Sequence, residues 1–148
     1  MKNTFKRSGT ALISLVLLLV LAVSAGAASS QNVGVKFWKE RSDKESMANS
    51  GIDPDRTATL TRQANGTYTL TLPVMQVSKL GVTGYLSGLT IGDVTKDTGV
   101  LTIKNLPASV LTGSDVNKSV LVTCNIQMDL QVLGEINTSA RMCIWSQK

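Results

Sequence analysis

The side chains that most enzymes use to move protons are scarce in this 148-residue sequence. It contains no histidine, which removes the commonest general base, the usual partner of a Ser or Cys nucleophile and the commonest zinc ligand. A Ser-x-x-Lys dyad works without histidine, but that spacing does not occur in the chain. The residue types therefore favour a binding protein over an enzyme.

Paired acidic residues are the remaining source of acid and base chemistry. Asp53 and Asp55 flank a proline, and Asp93 and Asp97 stand beside glycines. Asp next to Pro or Gly is typical of turns, where its side chain bonds to nearby backbone. We therefore predict that both pairs stabilise turns and that neither is catalytic.

The first 27 residues have the pattern of a secretory signal peptide. A basic head precedes an apolar run over 11–23, and small residues occupy 25–27. A membrane anchor is the alternative, but this run is shorter than the roughly 20 residues that span a bilayer as a helix. The sequence thus predicts a signal peptide at 1–27 and one domain at 28–148, in a protein that is secreted or held at the cell surface.

The charge of the predicted mature chain is small. Twelve basic and ten acidic residues lie after position 27, which gives a net charge of +2. The basic residues are scattered among acids, whereas nucleic-acid-binding proteins cluster them on one face. We expect no nucleic-acid partner.

Alternating apolar and polar residues predict strands throughout the mature chain. Seven or eight short strands separated by turn signals predict an all-β fold, an immunoglobulin-like antiparallel β-sandwich. Residues 43–50 lack the alternation and predict one short helical turn. The expected strands lie within 33–37, 57–62, 67–77, 80–91, 100–104, 119–132 and 138–146.

The turn at Asn65-Gly66 shows how the pattern selects a register. A two-residue loop would place Leu60 opposite Thr71, an apolar residue against a polar one. A three-residue loop over 64–66 places Leu60 opposite Leu70, with Gly66 in the left-handed conformation of a bulged hairpin.

Cys124 and Cys143 are the only cysteines, and an exported chain permits a disulfide. Strand alternation, however, points Cys124 towards the core and Cys143 away from it. A one-residue slip would align the two thiols but would turn Arg141 towards the core. We predict two free thiols.

Several segments, taken in order, resemble the NEAT (near-iron-transporter) domain of Gram-positive surface proteins, in particular clostridial members. The resemblance covers about 33–145, nearly all of the mature chain. The segments that carry it are Val35-Lys36-Phe37-Trp38, Glu45-Ser46-Met47-Ala48-Asn49, Asn65-Gly66-Thr67-Tyr68-Thr69-Leu70, Gly84-Tyr85-Leu86 and Ala140-Arg141-Met142-Cys143-Ile144-Trp145.

The resemblance implies haem held between the short helix and the last β-hairpin. Ser46 matches the position whose hydroxyl bonds a haem propionate, although a Ser at this place also caps a helical turn. Met47 and Ala48 match the lid over the haem face, although packing onto the end of the sandwich is the alternative.

The sequence departs from the family at the last hairpin. The family presents Tyr-x-x-x-Tyr there, and this chain has Gly134-Glu135-Ile136-Asn137-Thr138, so the usual phenolate ligand is missing. Three explanations stay open: a methionine binds the iron, haem binds without a protein ligand, or the pocket serves something else. The candidate residues on this side are Met128, Thr138 and Met142, and Met142 is also expected in the core. The candidate iron ligands are Met128 and Met142, with Met47 as a further methionine near the site.

The function that the resemblance implies is a non-enzymatic haem-binding module in bacterial iron acquisition. Its expected partners are haem or a haem-carrying protein. Attachment to a membrane is expected only if the signal peptide is not cleaved. The alternative is a NEAT-like sandwich that has lost haem and binds a protein or glycan partner at the cell surface. That alternative predicts an exposed apolar patch near Met47 and 132–136.

Overall fold

The computed structural model describes residues 28–79, 81–128 and 134–148. They form nine strands and three short 3-10 helices, which we label η. In chain order these are β1 (Ser29–Lys39), η1 (Met47–Gly51), β2 (Ala58–Arg62), β3 (Tyr68–Pro73), β4 (Val77–Lys79), β5 (Val82–Leu89), β6 (Asp93–Asp97), β7 (Val100–Leu106), η2 (Ala108–Val110), η3 (Val116–Lys118), β8 (Val120–Met128) and β9 (Glu135–Ser146).

The strands pair antiparallel in the order β4-β5-β8-β9-β1-β2-β3-β7-β6. Alternate residues along them are buried, because successive side chains in a strand point to opposite faces. The buried residues of both halves of the sheet meet in one core, so the all-β, immunoglobulin-like sandwich is confirmed. The core includes Phe37, Leu60, Leu70, Leu101, Ile103, Val122 and Ile144.

The structure contains more strands than the pattern predicts, and the strand that the pattern misses is β6. Residues 93–97 look like a turn because glycines and acids surround them, but Asp93 pairs with Lys104 and Asp97 with Val100. The prediction of a turn between Asp93 and Asp97 is therefore wrong. β6 is an edge strand, and charged residues on an edge discourage pairing with other chains.

The long third strand predicted over 67–77 divides at Pro73. β3 ends there, and β4 begins at Val77. Proline has no N–H to donate to a ladder, so it is tolerated at the end of a strand. The segment between β3 and β4 consequently leaves the sheet and passes η1, where the Met75 N–H donates to the Gly51 carbonyl at 2.9 Å.

The β2–β3 hairpin follows the predicted register. Leu60 pairs with Leu70, and Gly66 has a φ of 83°. The Gln63 N–H donates to the Thr67 carbonyl at 2.8 Å, which closes the loop over 64–66. The turn interpretation of Asp53 is also confirmed, because its Oδ1 accepts a bond from the Asp55 N–H at 3.0 Å.

Both cysteines are free and buried, as predicted, on opposite faces of the sheet. Cys124 is part of the core. Cys143 lies under Trp38, whose Nε1 donates to its Sγ at 3.2 Å. Side chains on opposite faces cannot be bridged without moving the backbone.

The predicted signal peptide at 1–27 lies outside the described residues. Within the part of the chain that the structure describes, no helix is long and apolar enough to cross a membrane.

Candidate functional site

Ser46 precedes η1 and caps it. Its backbone is extended, with φ −76° and ψ 148°, and its Oγ accepts a hydrogen bond from the Ala48 N–H at 3.3 Å. Such a bond satisfies a backbone donor that the first turn leaves without a partner. Because Oγ acts only as an acceptor here, the hydroxyl hydrogen remains available to a second group.

Asn49 attaches η1 to β1. Its Oδ1 accepts from the Phe37 N–H at 2.7 Å, and its Nδ2 donates to the Phe37 carbonyl at 2.8 Å. The Ser46 N–H donates to the same carbonyl at 2.9 Å. These three bonds hold the start of η1 at the end of the sandwich.

The other end of η1 lies against β5. Gly51 approaches Leu86 so closely that a Cβ on Gly51 would be 3.1 Å from the Leu86 Cβ. Ala48 is buried in the core, whereas Met47 is 63% exposed. In η1, Ala48 thus anchors the helix in the core, and the large apolar side chain of Met47 faces solvent.

An apolar row crosses three strands on the face that η1 covers. Leu86 of β5 pairs with Ile126 of β8, which pairs with Ile136 of β9. Directly paired residues of antiparallel strands share a face. Gly51 covers Leu86 at one end of this row, and Ile126 and Ile136 are only half-buried.

Burial along β9 changes steadily on this face. Met142 and Ala140 are fully buried, while Thr138 and Ile136 are half-buried. The hairpin therefore leaves the core as it approaches Glu135 and presents an open surface. We call Ile126, Ile136 and Thr138 the hairpin shelf, which adjoins η1 through Leu86.

The structure groups some of the predicted site residues and separates others. Ser46, Met47 and Ala48 lie together on η1, and Thr138 lies on the hairpin shelf. Met128 is at the hairpin end of β8, where its backbone pairs with Gly84; its side chain lies outside what the structure describes.

Met142 is at the opposite end of the hairpin. It pairs with Val120 and is fully buried in the core, in agreement with the core alternative. Val120 and Met128 are eight residues apart on β8, about 26 Å at the usual rise of a strand. Met128 and Met142 therefore cannot serve the same iron atom.

The shelf carries Ile126, Ile136 and Thr138 but no tyrosine. Ile136 and Thr138 occupy the inner face of β9, and Tyr85 pairs with Gln127 on the opposite face of the sheet. Within the described residues, no three Cys, Asp or Glu side chains cluster as a metal site.

Ile136 lies within the apolar patch that the alternative function predicts near 132–136, but the sequence analysis does not name it among the haem-site candidates. The expected last strand begins at Thr138, whereas β9 begins at Glu135. A signal for the earlier start is present in the sequence, because Ile136, Thr138, Ala140 and Met142 follow one period-two alternation.

Comparisons with known proteins find similar solved structures, among them two of a NEAT domain. One is the NEAT5 domain of IsdX2, a B. anthracis hemophore, in complex with haem; it is 14% identical, with a TM-score of 0.48, over 82% of this chain and 99% of that chain. The other is a mutant of the same domain in complex with haem, 14% identical, with a TM-score of 0.49, over 82% of this chain and 98% of that chain. No family model and no curated protein matches the sequence.

Proposed function

We propose that this chain is an exported, non-enzymatic haem-binding module of bacterial iron acquisition. The observation that carries the proposal is the hairpin shelf, the end of an apolar row whose Leu86 is covered by Gly51 of η1. The same helix carries Met47, a large apolar side chain that is 63% exposed; contiguous exposed apolar surface is typical of a binding site. The NEAT resemblance of the sequence supports the same ligand.

Each element of the site has a role in holding a porphyrin. Ile126 and Ile136 form the apolar floor, and the flexible thioether of Met47 packs on the opposite side of the ligand. The Ser46 hydroxyl, which already accepts from the Ala48 N–H, donates its hydrogen to a propionate. Haem, when bound, supplies the iron that the module carries.

Of the two strand methionines, Met128 and Met142, we propose Met128 as the iron ligand. Its backbone lies two residues beyond Ile126, at the hairpin end of β8, whereas Met142 is enclosed by the core. A thioether ligates haem iron in some proteins. Replacing Met128 by Ala is expected to shift the Soret band of the complex, and an unchanged band would remove Met128 from the proposal.

The site is tested by titrating hemin into the purified protein and following the Soret band. The parent is expected to saturate near one equivalent. In Ile136→Asp a carboxylate faces the ligand, and burying an unpaired charge is costly, so we expect affinity to fall by at least about tenfold.

The matched control is Asn137→Asp. It adds the same charge at the next position of β9, on the opposite face, where Asn137 is exposed; we expect its affinity to stay close to that of the parent. The absence of a saturable band in the parent, or equal affinities for the two variants, would contradict the proposed site.

A further inference from the structure

A second recess lies beside β5. Its volume is about 800 Å³, within the range of small-molecule sites. The residues that line it and that matter here are Met75, Gln76, Tyr85, Lys96, Gln127 and Glu135. We call it the β5 cavity.

A row of polar residues forms one wall of the β5 cavity. Tyr85 pairs with Gln127, and Gln127 pairs with Glu135. These three side chains share a face, and it is the opposite face from the Leu86, Ile126 and Ile136 row. Leu86 also lines the cavity, whereas the hairpin-shelf residues Ile126, Ile136 and Thr138 do not.

Lys96 orients the groups in this wall. Its Nζ donates to Gln127 Oε1 at 3.2 Å and lies 5.8 Å from the centre of the Tyr85 ring. An ammonium can only donate, so the amide oxygen turns towards Lys96 and the amide NH₂ is left for another partner. The wall therefore presents an oriented donor beside an aromatic ring.

The opposite wall is held in place by Arg56. Its guanidinium donates to the Gly99 carbonyl at 2.5 Å and to the Val74 carbonyl at 3.2 Å, and it pairs with Asp53 at 2.7 Å. Both carbonyls belong to residues that line the cavity. A wall that is fixed before binding reduces the ordering cost of a ligand.

Two carboxylates complete the polar lining. Asp97 and Glu135 both line the cavity, and neither has an ion pair or side-chain hydrogen bond with any residue that the structure describes. Together with Lys96 they give the lining a net negative charge, which disfavours anions. A purely apolar ligand would displace the water around these carboxylates without replacing the hydrogen bonds of that water.

We infer that the β5 cavity binds a neutral carbohydrate. Sugar hydroxyls donate to carboxylates and accept from the Gln127 amide and the Lys96 ammonium, so one ligand class satisfies every group in the lining. The C–H faces of a sugar ring pack on the apolar surface of Tyr85 and Met75. A basic peptide would satisfy the carboxylates but would meet the ammonium of Lys96.

Calorimetric titration of the purified protein with cellotetraose, chitotetraose and maltotetraose tests this assignment. Saturable binding of at least one of these sugars is expected. Gln127→Ala removes the oriented donor and frees Lys96, and Glu135→Gln removes a charged acceptor, so each is expected to weaken binding about tenfold. Both residues are exposed, so the variants are expected to fold.

Leu121→Ala is the control, because Leu121 is 58% exposed on the same strand as Gln127 but does not line the cavity. Its sugar affinity is expected to equal that of the parent. The assignment is overturned if none of the three sugars binds saturably, if Gln127→Ala and Glu135→Gln bind as the parent does, or if tetralysine binds where the sugars do not. Hemin binding by Gln127→Ala is measured separately and is expected to be unchanged.

Discussion

At the scale of single residues, Ser46 caps η1 and, in our proposal, also bonds a propionate; the sequence leaves these two roles as alternatives. Its Oγ caps η1 by accepting from the Ala48 N–H, and its hydrogen stays available for a propionate. Ser46→Asp keeps the cap, because Asp caps a helix about as well as Ser, but it repels another carboxylate. We expect hemin affinity to fall, and the urea midpoint is measured beside it because Ser46 is 9% exposed and burying a charge is costly.

Ser46→Ala is the companion variant, and it loses the cap as well, at a cost of about 1 kcal/mol in the free energy of unfolding. Full hemin affinity in Ser46→Asp would show that the hydroxyl does not face a propionate.

Cys124 makes the free energy of unfolding depend on pH in the alkaline range. Burial raises the pKa of this thiol from 9.0 to about 12, because the core disfavours the thiolate. The thiol loses its proton in the unfolded chain above pH 9 but keeps it in the folded chain. The stability linked to Cys124 is therefore fully present below pH 9 and decreases as the pH rises towards 12.

The expected slope is about 1.4 kcal/mol per pH unit above pH 9. Urea unfolding of the parent and of Cys124→Ala between pH 8 and pH 11 measures it, and the variant is expected to show a flatter dependence. Parallel curves for the two proteins would contradict the assignment.

At the scale of elements, the attachment of η1 to β1 determines whether the site keeps its shape. Asn49→Ala removes both bonds to the Phe37 backbone, which are 2.7 and 2.8 Å long. We expect a loss of about 1–3 kcal/mol in the free energy of unfolding, since each bond contributes about 0.5–1.5 kcal/mol. Weaker hemin binding is expected with it.

Ser50→Ala is the control for Asn49→Ala, because Ser50 is exposed in the same 3-10 helix. Urea unfolding and the Soret titration are measured for both variants. Equal stability of Asn49→Ala and the parent would show that η1 is held by packing alone.

The elements also show what the sequence can and cannot predict. Alternation locates β1, β2 and β8, and the Asn65-Gly66 turn determines the β2–β3 register, because local chemistry decides these features. β6 is missed because its pairing with β7 depends on a distant strand, and its acids at both ends look like a turn. The start of β9 is also missed, although Ile136, Thr138, Ala140 and Met142 follow one period-two alternation.

The site is predictable only in part. The order of segments predicts the short helical turn, which the structure shows as η1 with Ser46 as its cap; Ser46, Met47 and Ala48 are candidate site residues. Alternation alone cannot say where a strand leaves the core, so it groups Met142 with Met128 although they lie at opposite ends of the hairpin. Only the three-dimensional packing shows that Met142 is buried in the core and that Met128 lies at the other end of the hairpin.

At the scale of the whole molecule, one sandwich presents two different surfaces on the strands β5, β8 and β9. The apolar hairpin shelf adjoins η1, and the Tyr85, Gln127 and Glu135 side chains in the wall of the β5 cavity lie on the opposite face of the same strands. The alternation of side chains in a strand makes this arrangement possible, because neighbouring residues such as Ile126 and Gln127 serve different sides.

The central claim is that a porphyrin lies between Met47 and the hairpin shelf. Methyl NMR of methionine-labelled protein with gallium protoporphyrin IX, a diamagnetic haem analogue, tests it most directly. The ring current of the porphyrin shifts only nearby methyl groups. The Met47 methyl resonance is expected to shift strongly and the buried Met142 resonance to stay in place; an unshifted Met47 resonance in the saturated complex would contradict the account.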